Sequence, residues 1–345
     1  MSRASRWAVL AIILCGVAAV AAATPAAAAD KINLLIIDGQ NGHDWKATTP
    51  VIKDLLTKTD RFNVDVCTSP PKLPGKATDE QKAAGKEAWA KFRPDFAKYQ
   101  VVLINYCGDP WPEEVAKAFE KYVQDGGGLV AYHFAVAAWA PWEAWNKMIC
   151  LGWKPASFGE GISIDDAGKI VRRPKGEGPG NGHGPAHVWD VDVRDKDHPI
   201  TKGMPAKLPH VKDELYHGQR GPAPETMHIL SSAFSNKAGG GTGTNEPITW
   251  TNTFGKGRVF VTLLGHDGPA TSDPVSTAFL TRGAEWAATG AVTLPLPKDL
   301  VAAEAKKANR FAVASTATNN DRGRTGRGRA GSGIPHGRTS RPCHV

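Results

Sequence analysis

Between residues 31 and 135 short apolar runs alternate with longer stretches of helical periodicity. KINLLII (31–37) is almost continuously apolar, the pattern of a strand buried on both faces. A loop, DGQNGHDW (38–45), opens into a helix over 47–58, with Pro50 near its start. Phe62 to Cys67 alternates as a second strand. Pro70, Pro71 and Pro74 then mark a loop, and the charged, alanine-rich 79–92 predicts a helix. YQVVLIN (99–105) is a third strand. Residues 112–124 place Val115, Phe119 and Val123 on one helical face, and Gly126 to Gly128 end that helix. The fourth strand runs into His133. Strands alternating with helices predict right-handed crossovers, a mainly parallel sheet and helices on both of its faces.

From Trp139 to Asn245 glycine, proline and polar residues dominate, as in EGPGNGHGPAH (177–187). Only HVWDVDV (187–193) and MHILSSA (227–233) read as strands, so this region predicts an elaborated, loop-rich lobe. Regularity returns with PITWT (247–251), FGKGRVFVTLLG (254–265) and a helix over 274–288. The turn Gly255-Lys256-Gly257 makes the two strands a hairpin.

Candidate chemistry gathers at strand ends. The first strand leads to Asp38 and His43, GGGLVAYH (126–133) ends in His133, and RVFVTLLG (258–265) leads to His266 and Asp267. Parallel strands present their carboxyl ends on one edge, so His43, His133 and His266 are expected to converge in one cleft. Three protein ligands with one open position is the usual catalytic zinc arrangement. A divalent metal such as zinc, a metal-free polar pocket and three unrelated loop histidines remain the readings of this set. His133 follows the central strand and is the candidate catalytic residue. Asp213 and Glu214 are adjacent, so in an extended segment their side chains point to opposite sides and one can serve as general base. His183, His187 and His217 lie in or near the glycine-rich region; of these His187 is favoured, because it begins a strand. Trp139, Trp142 and Trp145 form a helical stripe, either core or, for Trp139, a platform for a sugar ring. Asp267 either orients His266 toward a substrate or caps the next helix. There is no G-x-G-x-x-G and no Walker lysine, so no nucleotide cofactor is expected.

These motifs occur together in an order that resembles the trehalose-utilisation (ThuA-like) family. They are NGHDW (41–45), GGGLVAYHFA (126–135), His198-Pro199 with Asp213-Glu214-Leu215-Tyr216, and PITWTNTFGKGRVFVTLLGHD (247–267). The similarity spans about 31–290. It implies a class I glutamine-amidotransferase-like fold, a flavodoxin-like doubly wound α/β sheet, and a place in sugar metabolism through oxidised (3-keto) disaccharides. It also favours a functional role for the Asp-Glu-x-Tyr segment, with Tyr216 at the substrate. The sequence departs from an amidotransferase at the turn after the fourth strand: Tyr132-His133-Phe134 holds no cysteine, so acyl transfer lacks its nucleophile. Two functions remain: a hydrolytic enzyme, with or without metal assistance, on a sugar or glycoside, and a non-catalytic sugar-binding protein that kept the fold.

Composition changes this picture at the two ends. Arg3 and Arg6, an apolar run from Trp7 to Val20 and Ala27-Ala28-Ala29 read as a cleavable signal peptide over 1–29, which places the protein in the periplasm or outside the cell with no membrane span after cleavage. Residues 30–297 are expected to be one domain, and 298–345, rich in Gly-Arg, a disordered basic tail. The formal charge is +8; the leader supplies two of these and the segment from Asp321 five, leaving about +1 for the body, so no nucleic-acid partner is expected. Cys67, Cys107, Cys150 and Cys343 include no C-x-x-C pair and read as free thiols. Oligomeric state has no signature in the sequence.

Overall fold

The computed structural model describes residues 30–300. The signal peptide read over 1–29 and the tail from 301 lie outside the described residues, while Leu300, inside the expected tail, is buried in the core. In order come β1 (Ile32–Asp38), α1 (Trp45–Lys58), β2 (Phe62–Thr68), α2 (Asp79–Lys91), β3 (Val101–Ile104), α3 (Glu113–Gln124) and β4 (Gly128–Tyr132). Every residue of β3 and β4 is buried, as their continuous apolar runs require. The helix after β1 begins two residues earlier than its periodicity suggests, because the Asp44 carboxylate accepts from Ala47 N at 3.1 Å and caps it.

The region read as a loop-rich lobe holds α4 (Glu143–Ile149), β5 (Glu160–Ile164), β6 (Ile170–Arg173), β7 (His187–Val193), β8 (Lys207–Asp213), β9 (Arg220–Gly221) and β10 (His228–Phe234). Only β7 and β10 carry the expected apolar pattern. β8 hides because its inward residues are Leu208, His210 and Asp213, two of them polar. The chain closes with β11 (Asn245–Phe254), β12 (Gly257–Thr262), α5 (Gly268–Ser272) and α6 (Pro274–Thr289).

The strands form one 12-stranded sheet whose main path is β2-β1-β3-β4-β12-β11-β10-β7-β8, with β5, β6 and β9 branching from β11. β2, β1, β3, β4 and β12 are parallel. From the β11–β12 hairpin onward every pairing is antiparallel. The expectation of a mainly parallel sheet is therefore corrected: the fold is mixed α/β, and the strands of the lobe extend the same sheet.

This extension matters for the site. On the main path β8 is four strands from β12, about 19 Å in a flat sheet. Yet the Asp213 carboxylate at the end of β8 accepts from Gly265 N, just past β12, at 2.8 Å. The antiparallel half curls back until β8 meets the carboxyl edge of the parallel half.

Candidate functional site

Four side chains meet at that edge: His43 after β1, His133 directly after β4, His266 after β12 and Glu214 after β8. One ligand atom from each lies within 4.8 Å of all the others. Glu214 Oε2 is 3.1 Å from His266 Nδ1, 3.6 Å from His133 Nε2 and 3.9 Å from His43 Nε2. His133 opens a 3-10 turn with φ of 45°, in the left-handed region. For a residue with a Cβ this costs about 1–3 kcal/mol, a strain tolerated where the turn must aim a side chain.

The proton inventory of the cluster is unusual. His133 Nδ1 lies 2.7 Å from the Leu263 carbonyl, which can only accept, so Nδ1 carries the proton and a neutral ring turns the Nε2 lone pair inward. Burial alone raises the Glu214 carboxyl, but His133, with His266 and His183, outweighs it and holds the group at about 2. An ionised carboxylate there requires positive charge on the facing imidazoles or between them. His133 Nε2, Glu214 Oε2 and His266 Nδ1 are all buried without a hydrogen-bond partner among the described residues. Burial, reinforced by the neighbouring His133, pushes His43 down to about 4 against the pull of Glu214. A carboxylate oxygen and three imidazoles converging on one buried point fit a cation. The spacings bracket the ligand–ligand edge of a tetrahedral zinc site, about 3.3 Å for bonds near 2.0–2.1 Å.

Aromatic rings surround this centre. The Tyr216 hydroxyl is 3.0 Å from His43 Nε2, and burial, then Glu214, raises its pKa so that it stays a phenol. Its ring centroid lies 4.5 Å from that of His133 and 4.6 Å from that of Trp153. Phe134 meets His43 edge-on at 4.6 Å. His183, carried by the glycine-rich loop, brings Nε2 to 3.7 Å from the other Glu214 oxygen and remains partly exposed. Its Nδ1 donates to the Gly184 carbonyl, so in the neutral ring Nε2 again presents a lone pair.

Of the adjacent carboxylates, Glu214 enters the cluster and Asp213 stands behind it. Asp213 Oδ1 accepts from Glu214 N at 2.8 Å and His266 N at 3.1 Å; Oδ2 accepts from Gly265 N and from His210 Nε2 at 2.9 Å. Every lone-pair direction is occupied, so Asp213 has none left for a substrate proton. Gly265 sits at φ 97°, and a Cβ there would collide with the Tyr132 hydroxyl, so this close turn needs glycine. His210 Nδ1 reaches Asp273 Oδ2 at 2.9 Å, and Asp273 also caps α6 through Val275 N. Burial opposes a charge on His210, but its two aspartate partners raise its pKa, and with acceptors on both nitrogens it is an imidazolium.

Three candidates lie elsewhere. His187 donates from Nδ1 to the Pro185 carbonyl and is outside the converging set. Trp139 is buried, with ring centroids of Trp111 at 4.7 Å and Trp145 at 4.9 Å, so the tryptophan stripe is core. Asp267 caps α5 by accepting from Ala270 N at 2.8 Å. The sequence offered no sign of His210, Asp273, Trp153 or Phe134, and gave His183 only its glycine neighbours. Cys107 is half-buried and burial pushes its thiol up to about 11; Cys150 is buried and raised further, so both are thiols, not thiolates.

A family model described as trehalose utilisation, ThuA, matches residues 33–287. The chain belongs to this family. A ThuA-like protein from Parabacteroides merdae is 40% identical, with a TM-score of 0.70 over 78% of this chain and 94% of its own. A second, from Bacteroides uniformis, is 19% identical with a TM-score of 0.50 over 78% and 97%, and bears on the fold alone. No curated protein matches. The family assignment makes the chain carbohydrate-related, and the residues at the carboxyl edge must say how.

Proposed function

We propose that this protein is a metal-assisted enzyme acting on a sugar derivative, with hydrolysis of an oxidised (3-keto) sugar or glycoside as its reaction. The observation that carries the reading is the set of three buried, unpartnered polar atoms on His133, Glu214 and His266, closed by His43. Those four side chains would hold the ion. A divalent cation held there supplies Lewis acidity toward a carbonyl or hydroxyl oxygen of the sugar. The chain's own groups do the rest. Asp213 and His210 fix the backbone that carries Glu214 and His266. The buried Tyr216 phenol, 3.0 Å from His43 Nε2, positions that imidazole. Phe134 and Trp153, both partly exposed, give apolar surface of the kind sugar rings stack on, with Tyr216 packed behind Trp153. His183 and the outer Glu214 oxygen, both acceptors 3.7 Å apart, leave room for a hydroxyl that donates to one of them. We also read the five parallel strands as the flavodoxin-like, doubly wound core of the amidotransferase-like fold, with His133 at the turn that carries the nucleophile in that fold. Residues 1–29 assign the enzyme to the periplasm or the exterior.

The test is metal content and turnover together. The purified protein should hold about one equivalent of zinc, manganese or nickel. Native and 3-keto disaccharides are then incubated with it, with and without chelator. Turnover that chelation removes and metal restores supports the enzyme. Sugar binding with neither metal nor turnover leaves the accessory-protein reading instead.

A further inference from the structure

A cleft of about 630 Å³ opens beside the histidine–glutamate cluster, walled by the loops after β1, β2 and β3 and by Phe134. Phe134 belongs to both places, since its ring edge also meets His43 at 4.6 Å. The volume lies within the range of small-molecule sites and exceeds what one sugar ring fills. We propose that this cleft is the subsite for a second substrate moiety, and that it selects an acidic one: a sugar ring bearing a carboxylate or a phosphate. The inference rests on the reading of the cluster as a sugar site.

The cleft's lining decides its charge. It includes Lys46 and Lys72 and no carboxylate. Both lysines are exposed, and neither has an acidic partner among the described residues. The nearest acid in sequence, Asp44, is committed to capping α1. Lys46 stands in the first turn of that helix, a turn with no acidic residue. A cation there opposes the helix dipole, so the helix itself gains nothing from it. Its ammonium lies 5.6 Å from the centre of the Trp45 ring, placing charge and a flat apolar surface side by side in the same wall.

The walls are preformed. Gln40 donates from Nε2 to the Pro70 carbonyl at 2.9 Å and accepts at Oε1 from Asp109 N at 2.9 Å, tying the β2 loop to the β3 loop. Gly39, at φ 127°, lets the β1 loop lie against Ser69, where a Cβ would collide with the hydroxyl. A cleft held in shape by such bonds needs little ordering when a ligand enters, so its two cations act on a fixed target.

The test measures binding of glucose, glucuronate and glucose 6-phosphate to the full chain by titration calorimetry, with and without chelator. Three proteins are compared: wild type, the Lys46→Gln/Lys72→Gln double variant, and Glu214→Gln. One of the acidic sugars should bind about tenfold tighter than glucose, and which one separates carboxylate from phosphate. The double variant should lose that advantage, while Glu214→Gln and chelated wild type keep it. Equal or absent binding of the three sugars overturns the proposal. So does an acid preference that the Glu214 variant or the chelator removes and the lysine variant retains. Persistence of the preference in a protein that binds no metal supports the cleft even if the metal reading fails.

Discussion

His133 Nε2 and Glu214 Oε2 face each other across 3.6 Å, two buried polar atoms without a hydrogen-bond partner among the described residues. Glu214→Gln tests what belongs in that gap. The amide keeps the shape, removes the charge and can donate to the imidazole lone pair. Metal affinity should fall at least a hundredfold by competition with a chelating dye. The metal-free variant should melt within about 1 kcal/mol of wild type, because one hydrogen bond is gained where none existed. Unchanged metal binding would place the ion elsewhere.

Asp213 contributes by holding others. In Asp213→Asn the new amide must turn donors toward Gly265 N, His266 N or His210, all of which donate already. It also leaves the buried His210 imidazolium with one carboxylate. Breaking a buried charge pair costs about 3–5 kcal/mol, so urea unfolding should shift by that order. Metal affinity should drop about 10–100-fold through displacement of His266 and Glu214.

The metal-free protein should weaken as pH falls from 6.5 to 4. His43 stays neutral in the folded state down to about 4 because it is buried among other histidines, whereas an unfolded chain protonates it near 6.5. In that window the unfolded state binds more protons, so stability declines with decreasing pH, by up to about 3 kcal/mol at ~1.4 kcal/mol per unit. Glu214, held at about 2 when folded, is protonated near 4.5 in an unfolded chain, so it steepens the decline at the acid end of the window in wild type and His43→Gln alike. His198, also lowered to about 4 by burial, adds a similar slope that remains in every variant. His43→Gln should therefore have a shallower pH dependence than wild type in urea titrations of chelated protein. Equal slopes would mean His43 protonates normally.

The parallel half of the fold was legible because its inner strands are near-continuous apolar runs and its edge strand β2 alternates, with helical stretches between them. That same legibility extends to His43, His133 and His266, since residues past parallel strand ends share an edge whatever their separation in sequence. The antiparallel half was hidden for the opposite reason: β8 buries His210 and Asp213 where a pattern reader looks for apolar side chains. The adjacency of Asp213 and Glu214 showed that they diverge but not which one faces the cluster, because the curl of the sheet decides that. Trp139 and Trp153 are alike as sequence and differ only in what surrounds them.

That difference is measurable. Trp139→Ala should lose about 3–5 kcal/mol, as removal of a large core aromatic does, with sugar affinity per folded molecule unchanged. Trp153→Ala removes a ring 4.6 Å from Tyr216 and 5.6 Å from His183, so it should weaken sugar binding about tenfold with a smaller loss of stability. Titration calorimetry beside thermal melts separates the two, and the reverse pattern would return the tryptophan stripe to the site.

The glycine-rich loop supplies the last contrast. His183 and His187 are four residues apart and both fix Nδ1–H on a nearby carbonyl, so each turns Nε2 outward from its own loop. For His183 that direction meets the outer Glu214 oxygen at 3.7 Å. His187 begins β7, away from the converging side chains. His183→Asn should therefore cut turnover at least tenfold while metal content stays at wild-type level, since the four ion-holding side chains are intact. His187→Asn should leave both within twofold. Loss of metal from the His183 variant would instead make that imidazole a fifth member of the cluster, and loss of turnover from the His187 variant would mean that the loop closes further over the substrate than it does here.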